Sequence, residues 1–178
     1  FSNPDSAYYF AQLEYDFAVK VDNKKHIGIA LNLQGVSFQI RGNHKKALEY
    51  YKKTLLIFEQ IGFKSGVQSS YINIGLVYDN QGNYYKAIDY YEKSLRIAKE
   101  IDYKTGIGLC YNNIGNIYLN RGNNEKALEY YEMALKIGKK LGDKKRIRSS
   151  YNNIGLIYEN LGNYDRAMYF YEKSLKIN

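Results

Sequence analysis

Residues of the same kind return every 40 positions along this chain. Gly35, Gly75, Gly115 and Gly155 form one column, and Gly42, Gly82, Gly122 and Gly162 form another. Asn43, Asn83, Asn123 and Asn163 follow the second glycine each time. Further columns are Ala47, Ala87, Ala127 and Ala167, then Tyr51, Tyr91, Tyr131 and Tyr171, then Leu55, Leu95, Leu135 and Leu175. A fixed period of this length marks a stack of one supersecondary unit on copies of itself. Each copy buries a face against its neighbour, so the chain is read as an array.

Composition narrows the chemistry open to such an array. Of 178 residues, 45% are apolar and 25% charged, too apolar for a disordered chain. One cysteine excludes a disulfide framework and a thiolate zinc site. Two histidines, His26 and His44, argue against a histidine-based metal centre or catalytic triad. No apolar run approaches the roughly 18–20 residues that span a bilayer. Phosphate loops, acid/base pairs and nucleophile arrangements are also missing from the sequence. Neither a catalytic residue, a metal nor a cofactor is expected.

Within a period the apolar spacing is helical. Tyr111, Ile114, Gly115 and Tyr118 follow the i, i+3, i+4, i+7 rule over about 107–121. A Gly-Asn pair breaks the pattern, because glycine supplies the freedom a tight turn needs. Ala127, Tyr130, Tyr131, Ala134, Leu135 and Ile137 then define a second helix to about Leu141, and Gly142-Asp143-Lys144-Lys145 reads as a polar loop. No segment alternates with the period of a strand. Glycine inside a helix costs about 1 kcal/mol against alanine, so its repetition at 35, 75, 115 and 155 points to close helix approach. The column Ala30, Ser70, Cys110 and Ser150 reads the same way, which makes Cys110 a buried, inert thiol.

Tyr71-x-x-Ile74-Gly75-x-x-Tyr78 followed by Ala87-x-x-x-Tyr91 resembles the tetratricopeptide repeat (TPR), and the pattern recurs from Tyr111 and Tyr151. The first unit is looser, with Leu31, Gln34, Gly35 and Phe38. The resemblance implies an all-α, right-handed α-solenoid of helix-turn-helix units with about nine helices. It divides the chain into a half repeat at 1–26 and units at 27–66, 67–106, 107–146 and 147–178. The 40-residue period exceeds the usual 34 of the family, which implies a longer second helix like those of kinesin light chains, Pins-type adaptors and bacterial peptide-sensing regulators. The chain reads as an excerpt of a longer protein, with open ends at Tyr8 and Tyr9 and at Tyr171 and Leu175 that favour weak end-to-end self-association.

In this family the first helices line the concave face. Over 27–41, 67–81, 107–121 and 147–161 the charged residues are only Arg41, Asp79, Arg121, Arg148 and Glu159, so the net +8 is assigned to second helices and loops as solvated surface. Asparagine fills the concave face instead. Asn80, Asn120 and Asn160 precede the Gly-Asn turn and are read as capping it. Asn73, Asn113 and Asn153 lie mid-helix, where either inter-helix bonding or a bound peptide backbone explains an amide with both donor and acceptor. With Asn112, Asn152, Asn116, Asp79 and Glu159 they form the candidate peptide-binding set. The carboxylate clamp of chaperone-tail TPRs is missing, since Asn32, Leu33, Ile72, Asn73, Asn112 and Asn113 carry no cation there.

The function expected is a non-catalytic protein- or peptide-binding scaffold, the sensory or regulatory interaction domain of a larger signalling protein. A catalytic domain elsewhere in that protein is compatible with this reading. The partner is a protein or extended peptide in the concave groove, without specific nucleic acid or membrane insertion. The expected compartment is the cytoplasm, with an extracytoplasmic sensor domain as the alternative. The competing function is a nucleic-acid-binding helical repeat that uses the basic convex face.

Overall fold

The computed structural model describes residues 4–177, and every regular element in that stretch is an α-helix. The helices are α1 (Pro4–Lys20), α2 (Lys24–Ile40), α3 (His44–Gln60), α4 (Lys64–Asn80), α5 (Tyr84–Glu100), α6 (Lys104–Asn120), α7 (Asn124–Leu141), α8 (Lys144–Asn160) and α9 (Tyr164–Leu175). The chain forms two compact units, Phe1–Ile97 and Ala98–Asn178. In the first, α1 packs on α2, α2 on α3 and α3 on α4; in the second, α6 packs on α7, α7 on α8 and α8 on α9.

Helix lengths differ from the expectation. The second helices are not markedly longer than the first, because α2, α3, α4, α5, α6 and α8 all have 17 residues and α7 has 18. The 40-residue period is two near-equal halves. Gly42, Gly62, Gly82, Gly122, Gly142 and Gly162 all have positive φ, and Asp22 and Asp102 take that conformation at the two remaining turns. A left-handed residue at this place stops a helix and returns its last carbonyls to backbone N–H groups, as when Asn43 N donates to Phe38 O at 2.9 Å. The polar loop expected after Leu141 is therefore a turn, and Lys144 and Lys145 already belong to α8. Asn43, Asn83, Asn123 and Asn163 then cap the next helix, each side-chain oxygen accepting from the backbone N–H three residues on.

The core of each repeat is built on its tyrosine column. Tyr51, Tyr91 and Tyr131 are fully buried, and each ring packs against the mid-helix glycine of the preceding helix. A Cβ placed on Gly75 would lie 2.6 Å from the Tyr91 ring, and one on Gly115 2.8 Å from the Tyr131 ring. Those rings are surrounded on all sides, so they have nowhere to retreat. Around Tyr51 the first unit gathers Phe38, Ala47, Ile74 and Val77; around Tyr131 the second gathers Ala127, Leu135, Tyr151, Ile154 and Ile157.

A second layer of rings faces outward. Tyr78 stacks on Tyr90 at 5.6 Å, Tyr118 on Tyr130 at 5.5 Å and Tyr158 on Phe170 at 5.5 Å. Lys46, Lys86, Lys126 and Arg166 sit over Phe38, Tyr78, Tyr118 and Tyr158 at 5.0 to 5.3 Å. This repeated cation–ring contact is worth about 0.5–1 kcal/mol at an exposed site. The second-helix cations read as mere solvation therefore also cover aromatic surface.

Gly115→Ala is expected to lower stability by about 1–3 kcal/mol in urea unfolding, although alanine is the better helix former. Glu132→Ala, on an exposed mid-helix position of α7, should stay within about 0.5 kcal/mol of the parent. An unchanged Gly115→Ala would contradict the packing of Tyr131 on Gly115.

Candidate functional site

The asparagines of the first helices do not act alike. Asn73 on α4 donates from Nδ2 to Asn32 Oδ1 on α2 at 2.7 Å. In the second unit Asn153 on α8 makes the same bond to Asn112 on α6 at 3.1 Å. Each bond joins successive first helices 41 residues apart. Each also leaves the pair one further donor and acceptor face, since a primary amide has two N–H groups and two lone pairs. Asn113 is buried, and Asn152 is exposed on α8.

Two of the remaining three candidates accept hydroxyls of the tyrosine column. Asn116 Oδ1 accepts the Tyr131 hydroxyl at 2.7 Å, and Glu159 Oε2 accepts that of Tyr171 at 2.6 Å. In the first repeat the Tyr51 hydroxyl finds Gln39 Oε1 at 2.6 Å. These bonds secure a polar atom at the edge of an apolar core, where an unpaired hydroxyl costs about 1–3 kcal/mol. Burial raises the pKa of the Tyr51 and Tyr131 hydroxyls, and burial together with Glu159 pushes that of Tyr171 up to about 12. Asp79 occupies the position of Gln39 and Glu159 and is half-buried; burial raises its carboxyl above the ordinary value.

A feature that the columns hide lies beside Asn32. A cavity of about 230 Å³ opens between α2, α3 and α4, lined by Ile29, Asn32, Phe58, Phe63, Ser65 and Ser69. Phe58 stands where other repeats have Ala18, Ala98 or Gly138, and meets Phe63 edge-to-face at 5.1 Å. Room for it comes from Gly28 and Gly66, where added Cβ atoms would lie 2.4 and 2.5 Å from the Phe58 ring. Lys25 Nζ sits over Phe63 at 4.6 Å. The signal in the sequence is the large ring at 58, in a column of otherwise small residues.

The first helices are also more basic than their expected windows implied. Those windows began three residues late and missed Lys24, Lys25, Lys64, Lys104, Lys144, Lys145 and Arg146, all within the first turns of α2, α4, α6 and α8. The nearly uncharged stretch is the middle of each first helix. Among the described residues no three His, Cys, Asp or Glu side chains are grouped as a metal site requires, and no helix is long and apolar enough to cross a membrane.

Paired helices at a fixed spacing, each pair interlocked by a tyrosine on a glycine, define an all-helical repeat scaffold. Residues 26–102 and 106–178 match the tetratricopeptide repeat family, and the chain belongs to that family. Its repeats are in general protein-interaction scaffolds, and no catalytic family is indicated. Comparison with curated proteins gives no match. Among solved structures, BtubC (BKLC) from P. vanneervenii superposes with a TM-score of 0.85 at 23% identity, over 100% of this chain and 74% of that one. The apo form of RapI gives 0.83 at 18% identity, over 98% and 48%. A signal transduction ATPase with numerous domains and a tetratricopeptide repeat sensor, from Pyrococcus horikoshii, gives 0.78 at 27% identity, over 96% and 28%. The fold class is accordingly the TPR α-solenoid.

Burial of the Asp79 carboxyl has a consequence for stability. Its folded carboxyl holds a proton more tightly than the unfolded one, so protonation favours the fold and that advantage fades as pH rises through the folded pKa. Asp79→Asn should raise Tm at neutral pH, with the gap closing as the solution is acidified below the carboxylate range. A lower Tm for the variant at neutral pH would mean that the charge is stabilised in place.

Proposed function

We propose that this chain is a non-catalytic scaffold that holds an extended peptide along the asparagine-bearing face of its first helices, within a larger signalling protein that it serves as a sensory or regulatory module. The observation that carries the reading is the pair of amide bridges, Asn32–Asn73 and Asn112–Asn153. Each keeps a donor and an acceptor beyond its own bond, matching the alternating N–H and C=O of a strand-like peptide. The cavity floored by Phe58 and Phe63 supports the same reading, since it gives an apolar side chain a place beside Asn32. The sensor role draws support from the repeat sensor of the Pyrococcus horikoshii protein.

The site residues then divide by task. In the first unit Asn73, and in the second Asn113, Asn153, Asn112 and Asn152, meet the peptide backbone. Asn116, Asp79 and Glu159 lie one to two turns further along the first helices and meet its flanks. Binding of this kind depends weakly on salt, because the middle of the first helices is almost uncharged.

A displayed library of random extended peptides selects ligands even though the natural partner is unidentified. Asn152→Ala, at an exposed position of α8, should weaken a selected peptide by about 1–2 kcal/mol while leaving the unfolding midpoint within a degree or two, a hydrogen-bond-sized loss. Lost stability with unchanged affinity would make this amide an internal brace. A steep fall of affinity with salt would move the contact to the lysines, as the nucleic-acid reading requires.

A further inference from the structure

The first repeat departs from its sisters at two buried positions of α2. Tyr71, Tyr111 and Tyr151 place their rings 6.0, 6.1 and 6.1 Å from Tyr90, Tyr130 and Phe170. In the first repeat the corresponding residue is Leu31, and Tyr50, whose ring lies 5.2 Å from Phe38, stands where the sister repeats have Tyr90, Tyr130 and Phe170. Three residues on, Ile74, Ile114 and Ile154 are buried, but the first repeat buries Gln34 there, at 2% exposure. A cavity of about 520 Å³ lies between α1, α2 and α3 at this place, lined by Leu31, Gln34, Tyr50 and Ile57 together with Gln12 and Tyr15 of α1.

We propose that this cavity binds a small aromatic ligand, a ring of phenol or indole size that carries a hydrogen-bonding group. The ring takes the place that Tyr71 takes in the next repeat, against Tyr50, with Leu31 and Ile57 as apolar walls. Its polar group meets the amides of Gln12 and Gln34 and the Tyr15 hydroxyl. Gln34 Nε2 donates to Gln12 Oε1 at 2.9 Å, and Gln12 Nε2 donates to Asp16 Oδ1 at 2.9 Å. The amides are thus fixed in place rather than left to rotate, which sets the geometry offered to a ligand. An amide stands here where three sister repeats bury isoleucine, so the wall of the cavity offers hydrogen-bonding groups that the sister repeats lack. Lys53 Nζ, 5.3 Å from the Tyr50 ring and bonded to Glu49, marks the rim. The volume lies in the roughly 300–1,000 Å³ range of small-molecule sites, with their mostly apolar walls and few convergent polar groups. Three helices frame the cavity, as α3, α4 and α5 frame Tyr71, and none of the first-helix asparagines lines it. The site is therefore independent of the proposed peptide face.

The test titrates the intact chain with p-cresol and follows the methyl resonances by NMR. Saturable shifts are expected at Leu31, Ile57 and Ile27, which also lines the cavity, with Ile154 and Ile157 unmoved. Cyclohexanemethanol, of similar size but without an aromatic face, should bind roughly two- to tenfold more weakly, the fold-change an aromatic pair contributes. Leu31→Tyr copies the sister repeats and should abolish the shifts; Gln34→Ile copies them too and should weaken binding while the chain stays folded. Absence of a saturable response in the parent chain overturns the proposal, as does equal binding of the two probes. Retention of parent-like binding in folded Leu31→Tyr or in Gln34→Ile overturns it as well. If Leu31→Tyr does not fold, the parent chain and Gln34→Ile decide.

Discussion

A tyrosine ring laid on a glycine holds each repeat together, and the rest of the architecture depends on that contact. The ring needs a surface without a Cβ, so the first helix carries glycine at its midpoint and accepts a cost of about 1 kcal/mol in propensity. In return two helices approach closely enough to bury the whole of Tyr51, Tyr91 or Tyr131. Once the ring is in, its hydroxyl emerges at the far edge of the core and requires an acceptor. The repeats meet that requirement differently, with Gln39 in the first, Asn116 in the third and Glu159 in the fourth. Part of the polar character of the first helices is thus a consequence of the packing beneath it.

The same logic separates what the first helices do for the fold from what remains for a partner. Asn116 and Glu159 are engaged by tyrosines, whereas the bridged amides at 32–73 and 112–153 are engaged only in part. Each bridge ties one first helix to the next within its unit. On the second helices, lysines and one arginine cover the aromatic ladder. Their charge is tied to packing, which reduces its weight as a sign of a polyanionic partner.

Much of this architecture was legible because the sequence repeats it four times. The glycine and tyrosine columns announce a close approach before any coordinate is known, and the Gly-Asn pairs announce the turns. Helix starts were less legible. Lys24, Lys64 and Lys104 are polar and break no apolar pattern, so the periodic signal begins only after the first turn, and the charge of the first helices was undercounted for that reason. The equal helix lengths were obscured because Asp22 and Asp102 adopt a left-handed conformation usually left to glycine. Least legible were the two cavities, since both arise where one repeat breaks the column. Phe58 needs Gly28 and Gly66 from other helices, and Leu31 and Gln34 acquire meaning only beside Tyr71 and Ile74.

The central claim is that ring and glycine form one interlocking unit, and a double-mutant cycle on Gly115 and Tyr131 measures it most directly. Urea unfolding of the parent, Gly115→Ala, Tyr131→Leu and the double variant gives the coupling free energy between the two positions. If the ring fills the space above the glycine, adding a methyl group should be costly under tyrosine and nearly free under leucine, with a coupling of about 1–2 kcal/mol between directly contacting residues. Additive effects, with Gly115→Ala costing the same whichever residue stands at 131, would contradict the account.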